Sequence, residues 1–318
     1  MGKLSIIIPV YYNSDTLLEC YEDVKRSVLR KINSYEIILV DDGSGDESWK
    51  VCKDIASIDK NVRLIKLSRN FGSHAACYAG LAVCTGDCAV IKAADLQEPS
   101  TLILEMYESW KQGNRVVLAT RTQREDGFSQ KVFASIYYGL VRKLISRNMP
   151  KKGFDCYLLD RRVIEALKLL DERHSAITMQ ILWTGFTTST VSYTRLVRSK
   201  GKSRWTLSKK VKLVLDSVVG FSPIPVRIVE GFGLLFACIA VIWGFILIAI
   251  RLFGTVDVQG WTTLMIVVLF SSGMIMISLG ILGEYIWRTF DVAQNRPVFI
   301  VEEEVSPNDD YLEIVEND

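Results

Sequence analysis

Apolar and polar positions follow two regimes along the 318-residue chain. Over the first 120 residues, short apolar runs alternate with segments whose apolar positions recur at helical spacing. The runs 4–10 (LSIIIPV), 35–41 (YEIILVD), 62–67 (VRLIKL), 87–92 (DCAVIK) and 115–120 (RVVLAT) predict strands. The segments near 15–30, 46–58, 73–84 and 99–111 predict the helices between them. Strands made almost wholly of Ile, Val and Leu, each followed by a helix, predict an α/β domain with a mostly parallel sheet covered on both faces. Ligands of such sheets bind at the carboxyl ends of the strands.

The second regime begins near residue 129. Segments 129–147 and 207–221 carry an apolar stripe beside basic residues: Lys131, Arg142, Lys143 and Arg147 in the first, Lys209, Lys210 and Lys212 in the second. Both predict amphipathic helices lying at a bilayer surface, with core packing as the alternative. Runs 228–250 and 262–287 are apolar almost throughout, and Pro223 and Pro225 mark the turn into the first. The 23 residues of that run would make a helix of roughly 34 Å, against a hydrocarbon core of about 30 Å. The expected organisation is therefore a domain over 1–227, a transmembrane hairpin over 228–287, and a terminal segment over 288–318.

Charge sets the expected orientation. The segment before residue 228 is rich in Lys and Arg, the connector 251–261 holds only Arg251, and Arg288 and Arg296 follow the second run. This predicts a multi-pass protein of the inner (plasma) membrane with both termini and the domain in the cytosol. The start of the chain lacks the basic, apolar and small-residue pattern of a signal peptide, which agrees with that expectation. The net charge of +2 hides an asymmetry: residues 302–318 contain eight acidic and no basic residues, leaving 38 Lys and Arg against 28 Asp and Glu elsewhere. A basic body suits anionic phosphates and an anionic leaflet, or is an ordinary solvated surface; no nucleic-acid partner is predicted. The seven cysteines form no CxxC pair. Cys84 and Cys88 are predicted one helical turn apart without a His or second pair, so buried thiols rather than a metal site are expected.

Three clusters carry candidate chemistry. Val40-Asp41-Asp42-Gly43-Ser44 puts two carboxylates at the end of a strand, able to accept from ribose hydroxyls or a base N–H, with Ser44 and Glu47 predicted as a capping box. Leu67-Ser68-Arg69-Asn70-Phe71-Gly72 sits between a strand and a helix, as a nucleotide loop or as a cap. Ala94-Asp95-Leu96-Gln97-Glu98-Pro99 offers Asp95 and Gln97 as oxygen ligands for Mg²⁺ or Mn²⁺, with Pro99 opening the next helix.

Together with Ile8-Pro9-Val10-Tyr11, Asp155 in GFDCYLLDRR, Gly201-Lys202-Ser203-Arg204-Trp205 and LGILGEY at 279–285, these motifs resemble the family 2 glycosyltransferases of the GT-A fold. The whole chain resembles one branch of that family, the polyprenyl-phosphate glycosyltransferases, which include bactoprenol glucosyltransferases and dolichyl-phosphate mannose synthases. The resemblance implies that Pro9, Tyr11, Asp41 and Asp42 line the nucleotide pocket and that Asp95 and Gln97 hold the metal. It implies Arg121, Arg124 and Lys131 for the lipid phosphate, Lys202 and Arg204 for the donor diphosphate, and Asp155 as a base or orienting carboxylate at the reacting centre. The implied reaction is inverting transfer of one sugar from a nucleotide-sugar, UDP-linked glucose or GlcNAc, to undecaprenyl phosphate; mannose and amino-sugar donors are alternatives.

Two departures bear on this. The family pattern has Asp-x-Asp where this chain has Ala93-Ala94-Asp95, so a catalytically degenerate nucleotide-sugar-binding module is the rival reading. Processive synthases carry Gln-x-x-Arg-Trp, whereas Arg204-Trp205 here follows Gly201, which argues against polymerisation. Finally, the short apolar run Val298-Phe299-Ile300-Val301 is a candidate strand, either pairing within its own chain or adding to a neighbour in a homo-oligomer.

Overall fold

The computed structural model describes residues 2–122, 138–139, 141–143, 146, 148–170, 176–196, 224–253 and 260–306. Segment 207–221 lies outside these, as does most of 129–147. The chain divides into two units, Met1–Val214 with Pro297–Asp318, and Leu215–Arg296.

The first unit is built on an eight-stranded sheet. Its centre is parallel: β1 (Leu4–Val10) lies between β2 (Tyr35–Asp41) and β4 (Cys88–Ile91), and β3 (Val62–Leu67) follows β2. Register runs from Leu4 opposite Tyr35 to Val10 opposite Asp41. Ile6, Ile8, Val10, Ile37, Leu39, Leu64 and Val90 are buried on one face, and Ile7, Ile38, Val40 and Ile65 on the other, as a sheet covered on both faces requires. Helices α1 (Leu17–Val24), α2 (Ser48–Ile58), α3 (Ser73–Val83) and α4 (Leu102–Lys111) cover it. Each of α1, α2 and α4 turns an apolar face inward, with Leu17, Tyr21 and Val24 buried on α1 and Ile103, Met106 and Tyr107 on α4. A π-helical turn, Lys25–Leu29, extends α1.

Beyond the first 120 residues the sheet loses its simple alternation. β5 (Val116–Arg121) does not join β4; the antiparallel β6 (Tyr157–Asp160) lies between them, and β7 (Thr188–Tyr193) pairs parallel to β5. α5 (Arg161–Lys168) starts directly from β6, its N-cap Asp160 accepting from Arg162 N at 3.0 Å. α6 (Ile177–Trp183) precedes β7.

Three local expectations are corrected. The Ser44/Glu47 capping box is absent: the Ser44 hydroxyl accepts from Tyr12 N at 3.0 Å, and α2 starts later, with Asp46 Oδ1 accepting from Ser48 N at 3.2 Å. Cys84 and Cys88 do not share a helix. Cys84 closes α3 and Cys88 opens β4, because Gly86 turns the chain between them; both are buried thiols. The strand placed at 298–301 forms instead at β8 (Val301–Val305), antiparallel to β3 of the same chain.

The second unit contains α7 (Ile224–Phe253) and α8 (Trp261–Ala293). Pro225 falls in the first turn of α7, where its missing N–H costs no intrahelical bond. Stretches Val226–Ile246 and Thr263–Ala293 have mean hydropathies of 2.1 and 2.4 and are long and apolar enough to cross a membrane, with none of either buried. Ser271 and Ser278 return their hydroxyls to the Val267 and Met274 carbonyls at 2.7 and 2.8 Å, which satisfies both groups on an apolar surface. The Phe236 and Phe270 rings meet at 5.2 Å between the two helices.

Candidate active site

The parallel strands deliver their carboxyl ends to one edge of the sheet. Asp41 closes β2 opposite Val10, which Pro9 precedes and Tyr11 follows along the chain, and Asp42 N donates to Val10 O at 2.9 Å. Asp41 is fully buried. Its Oδ2 accepts from Ser44 N at 3.2 Å, while Oδ1 is buried and, among the described residues, accepts nothing. Burial raises the Asp41 carboxyl above its ordinary range. Tyr11 and Tyr12 are exposed here with their rings edge-to-face at 4.8 Å. Tyr12 has φ 55°, a left-handed conformation rare for a bulky side chain, fixed by the bond from its N–H to Ser44.

Asp42 organises the neighbouring loop. Its carboxylate accepts from Phe71 N at 2.7 Å, Gly72 N at 2.9 Å and Asn70 Nδ2 at 3.0 Å. Burial pushes the group up to about 6; the Phe71 and Gly72 N–H groups work against that rise, and Asp41 adds to it. Gly43 has φ +65°, and a Cβ there would lie 2.5 Å from the Arg69 carbonyl carbon, so the two loops pack backbone to backbone. The Leu67–Gly72 segment is thus a clamp on Asp42.

A second group forms past β4, β5 and β7. Asp95 Oδ1 accepts from Gln97 N at 3.2 Å across Leu96, itself at φ 58°. The Gln97 side-chain oxygen accepts from Arg195, and Leu196 N donates to Gln97 O at 2.9 Å. Arg121, at the end of β5, is ion-paired with Asp155. Burial disfavours the Arg121 charge, but Asp155 and Tyr193 outweigh it and hold the guanidinium more firmly protonated than usual. Behind these lies buried Glu98, which burial pushes up to about 7 against the pull of Lys92, with Asp155 and Asp95 adding to the rise. Lys92, also buried, donates to the Glu98 carbonyl at 2.7 Å.

Among the described residues no three His, Cys, Asp or Glu gather to hold a metal. Asp95 and Gln97 nonetheless present hard oxygen donors suited to an ion that keeps one protein carboxylate and takes its remaining ligands from a diphosphate and water. The site thereby gathers Pro9, Tyr11, Asp41 and Asp42 in one group, and Asp95, Gln97, Arg121 and Asp155 in a second. Arg124, Lys131, Lys202 and Arg204 lie outside the described residues. Lys92, Glu98, Tyr193 and Arg195 were not assigned roles from sequence. Glu98 stands in the Ala94–Pro99 motif and Lys92 ends the predicted strand before it, but nothing local distinguishes a buried charge from a solvated one; Arg195 follows a strand whose polar alternation, TSTVSY, is a weak signal.

The mostly parallel α/β sheet, with acidic loops at its carboxyl edge, is the arrangement of the GT-A fold. Residues 5–184 match the family described as Glycosyl transferase family 2, and the chain belongs to that family: it is a glycosyltransferase. It is 35% identical over 301 residues to an uncharacterized glycosyltransferase, YkcC, of Bacillus subtilis, covering 94% of this chain and 93% of the relative. It is 33% identical to the prophage bactoprenol glucosyl transferase homolog of Escherichia coli K12, covering 94% and 98%, and 32% identical to the bactoprenol glucosyl transferase of Shigella phage SfX, again covering 94% and 98%. Among solved structures, glucosyl-3-phosphoglycerate synthase from Mycobacterium tuberculosis in complex with phosphoglyceric acid aligns with a TM-score of 0.48 at 18% identity, over 68% of this chain and 79% of that one.

Proposed function

We propose that this glycosyltransferase moves one sugar from a UDP-linked donor, glucose or GlcNAc, to a polyprenyl phosphate at the cytosolic face of the membrane. The observation that carries the donor half is the orphaned Asp41 Oδ1, a buried acceptor beside the exposed Tyr11 ring. A buried acceptor without a donor is costly, and a base N–H would satisfy it. The acceptor half is supported by the bactoprenol relatives and by two helices apolar enough to cross a bilayer.

In this reading a phosphate oxygen of the lipid attacks the anomeric carbon from the face opposite the diphosphate. The carbon–oxygen bond to the diphosphate breaks and the configuration inverts. The attacking phosphate is already anionic at neutral pH, so no strong base is needed, and catalysis rests on positioning and on charge. Asp95 and Gln97 would hold Mg²⁺ or Mn²⁺, which neutralises the leaving diphosphate; Asp155, oriented by Arg121, would position the acceptor. Arg124, Lys131, Lys202 and Arg204 are proposed as further phosphate contacts. The rival reading, a module that binds nucleotide-sugar without turnover, is favoured by Ala93 and by the tie between Gln97 and Arg195. Purified protein incubated with undecaprenyl phosphate, Mg²⁺ or Mn²⁺ and a panel of labelled sugar nucleotides decides between them. Label in the lipid phase with one donor supports transfer and names the sugar; UDP binding with no labelled lipid from any donor supports the module.

A further inference from the structure

We infer that β8 is a positioning strand for the donor site, fastened by charge, an inference that rests on the nucleotide-sugar reading above. β8 pairs with the edge strand β3 through Leu64–Val305, Ile65–Glu304 and Lys66–Glu303. The register then slips between Lys66 and Leu67, leaving Leu67 opposite Val301 and Ser68 N donating to Ile300 O at 3.0 Å. That last bond falls on the first residue after β3. Two to four residues further on, Asn70, Phe71 and Gly72 deliver their N–H groups to Asp42. The strand therefore fixes the base of the clamp whose tip holds Asp42, next to Asp41.

Beyond the main-chain ladder, the side-chain contacts that hold β8 are mostly electrostatic. Along it only Val305 is buried, whereas its three glutamates each meet a cation on the first unit: Glu302 with Lys66 at 3.2 Å, Glu303 with Lys53 at 3.4 Å, and Glu304 with Arg63 at 3.6 Å. Trp49 Nε1 adds a bond to Glu303 at 3.2 Å, and the Lys53 and Lys66 ammonium groups lie 5.8 and 6.0 Å from the Trp49 ring. Val301 and Glu302 are exposed, so little apolar burial backs these pairs. Partly exposed ion pairs weaken with salt. Loss of the pairs releases the base of the 67–72 loop and with it the N–H groups on Asp42, so the effect appears in donor affinity rather than in the chemical step.

The test uses full-length protein in detergent, with UDP binding by calorimetry and KM and kcat for the donor. The variant Glu302→Gln/Glu303→Gln/Glu304→Gln raises UDP Kd and donor KM about fivefold while kcat stays within about twofold. Raising NaCl from about 0.1 to 1 M weakens UDP binding in the wild type and has much less effect in the variant. The exchanged pair Lys66→Glu with Glu302→Lys restores affinity that either single change loses, and carries the test if the triple variant does not fold. Wild-type Kd in the triple variant, or no recovery in the exchanged pair, overturns the inference and leaves the donor reading intact. A wild-type protein that binds no nucleoside diphosphate removes the donor reading and this inference with it.

Discussion

Arg121, the last residue of β5, is ion-paired with Asp155, two residues ahead of β6. The family resemblance implied a lipid-phosphate contact for Arg121 and a place at the reacting centre for Asp155. The pairing makes Arg121 the residue that orients Asp155. Replacing Arg121 with Gln leaves a half-exposed carboxylate without its partner, at a cost of about 1 kcal/mol, or roughly fivefold in turnover. The loss is expected in kcat. A rise confined to the KM for the lipid acceptor shows instead that Arg121 serves the lipid phosphate and that its contact with Asp155 is incidental.

Asp95→Ala is expected to abolish turnover, and chelation of divalent ions by EDTA to do the same to the wild type, because the leaving diphosphate would lose its neutralising charge. Gln97→Ala removes an oxygen ligand and the contact with Arg195, with a smaller loss of about tenfold expected. Turnover that survives both EDTA and Asp95→Ala removes the metal assignment.

Asp42 links stability to pH. Its folded-state value of about 6 lies above the ordinary 3.8, so the folded chain holds this proton more tightly than the unfolded chain does. The contribution to stability is therefore full below about pH 4 and lost as pH rises through 6, amounting to about 2–3 kcal/mol. In thermal melts, the wild-type Tm minus that of Asp42→Asn should fall by roughly 5 °C between pH 4 and 7. A difference that grows with pH shows that the Phe71, Gly72 and Asn70 donors outweigh burial and keep the carboxylate ionised.

Gly43→Ala tests the packing of the two nucleotide loops. An L-residue at φ +65° is strained, and its Cβ would meet the backbone at Arg69 rather than a side chain that could move aside. A destabilisation of about 1–3 kcal/mol and weaker UDP binding are expected, read by thermal melting and calorimetry. Unchanged UDP affinity would detach the clamp from donor binding.

The two apolar helices carry their own prediction. The protein should remain with membranes through an alkaline carbonate wash, and Gly260→Cys, between α7 and α8, should react with an impermeant maleimide added outside intact cells. Labelling only after the cells are opened reverses the expected orientation.

The first five strands and four helices were legible because each is a local signal. A run such as Leu4–Val10 is apolar, seven residues long and rich in β-branched side chains, which together favour a buried strand, and Leu17, Tyr21 and Val24 fall on one helical face. β6 and β7 were not legible. Tyr157–Asp160 is only four residues long, and Thr188–Tyr193 is polar on alternate positions at a sheet edge. Of the candidate site, the positions of Asp41, Asp42, Asp95 and Gln97 past strand ends could be read, but not their partners. Which oxygen of Asp41 is orphaned, or that Glu98 is buried, depends on neighbours brought in from other strands.

The sequence by itself determined the alternation of strands and helices, the two long apolar helices, and which polar residues follow the carboxyl ends of the strands, because periodicity and turn chemistry act over a few residues. Only the tertiary structure decided that β6 lies between β4 and β5, that Arg121 belongs to Asp155 and Arg195 to Gln97, and that β8 closes onto β3. Those choices depend on strand order and register, which are set by which buried faces and charges fit together across the whole sheet, and no local stretch of residues encodes them.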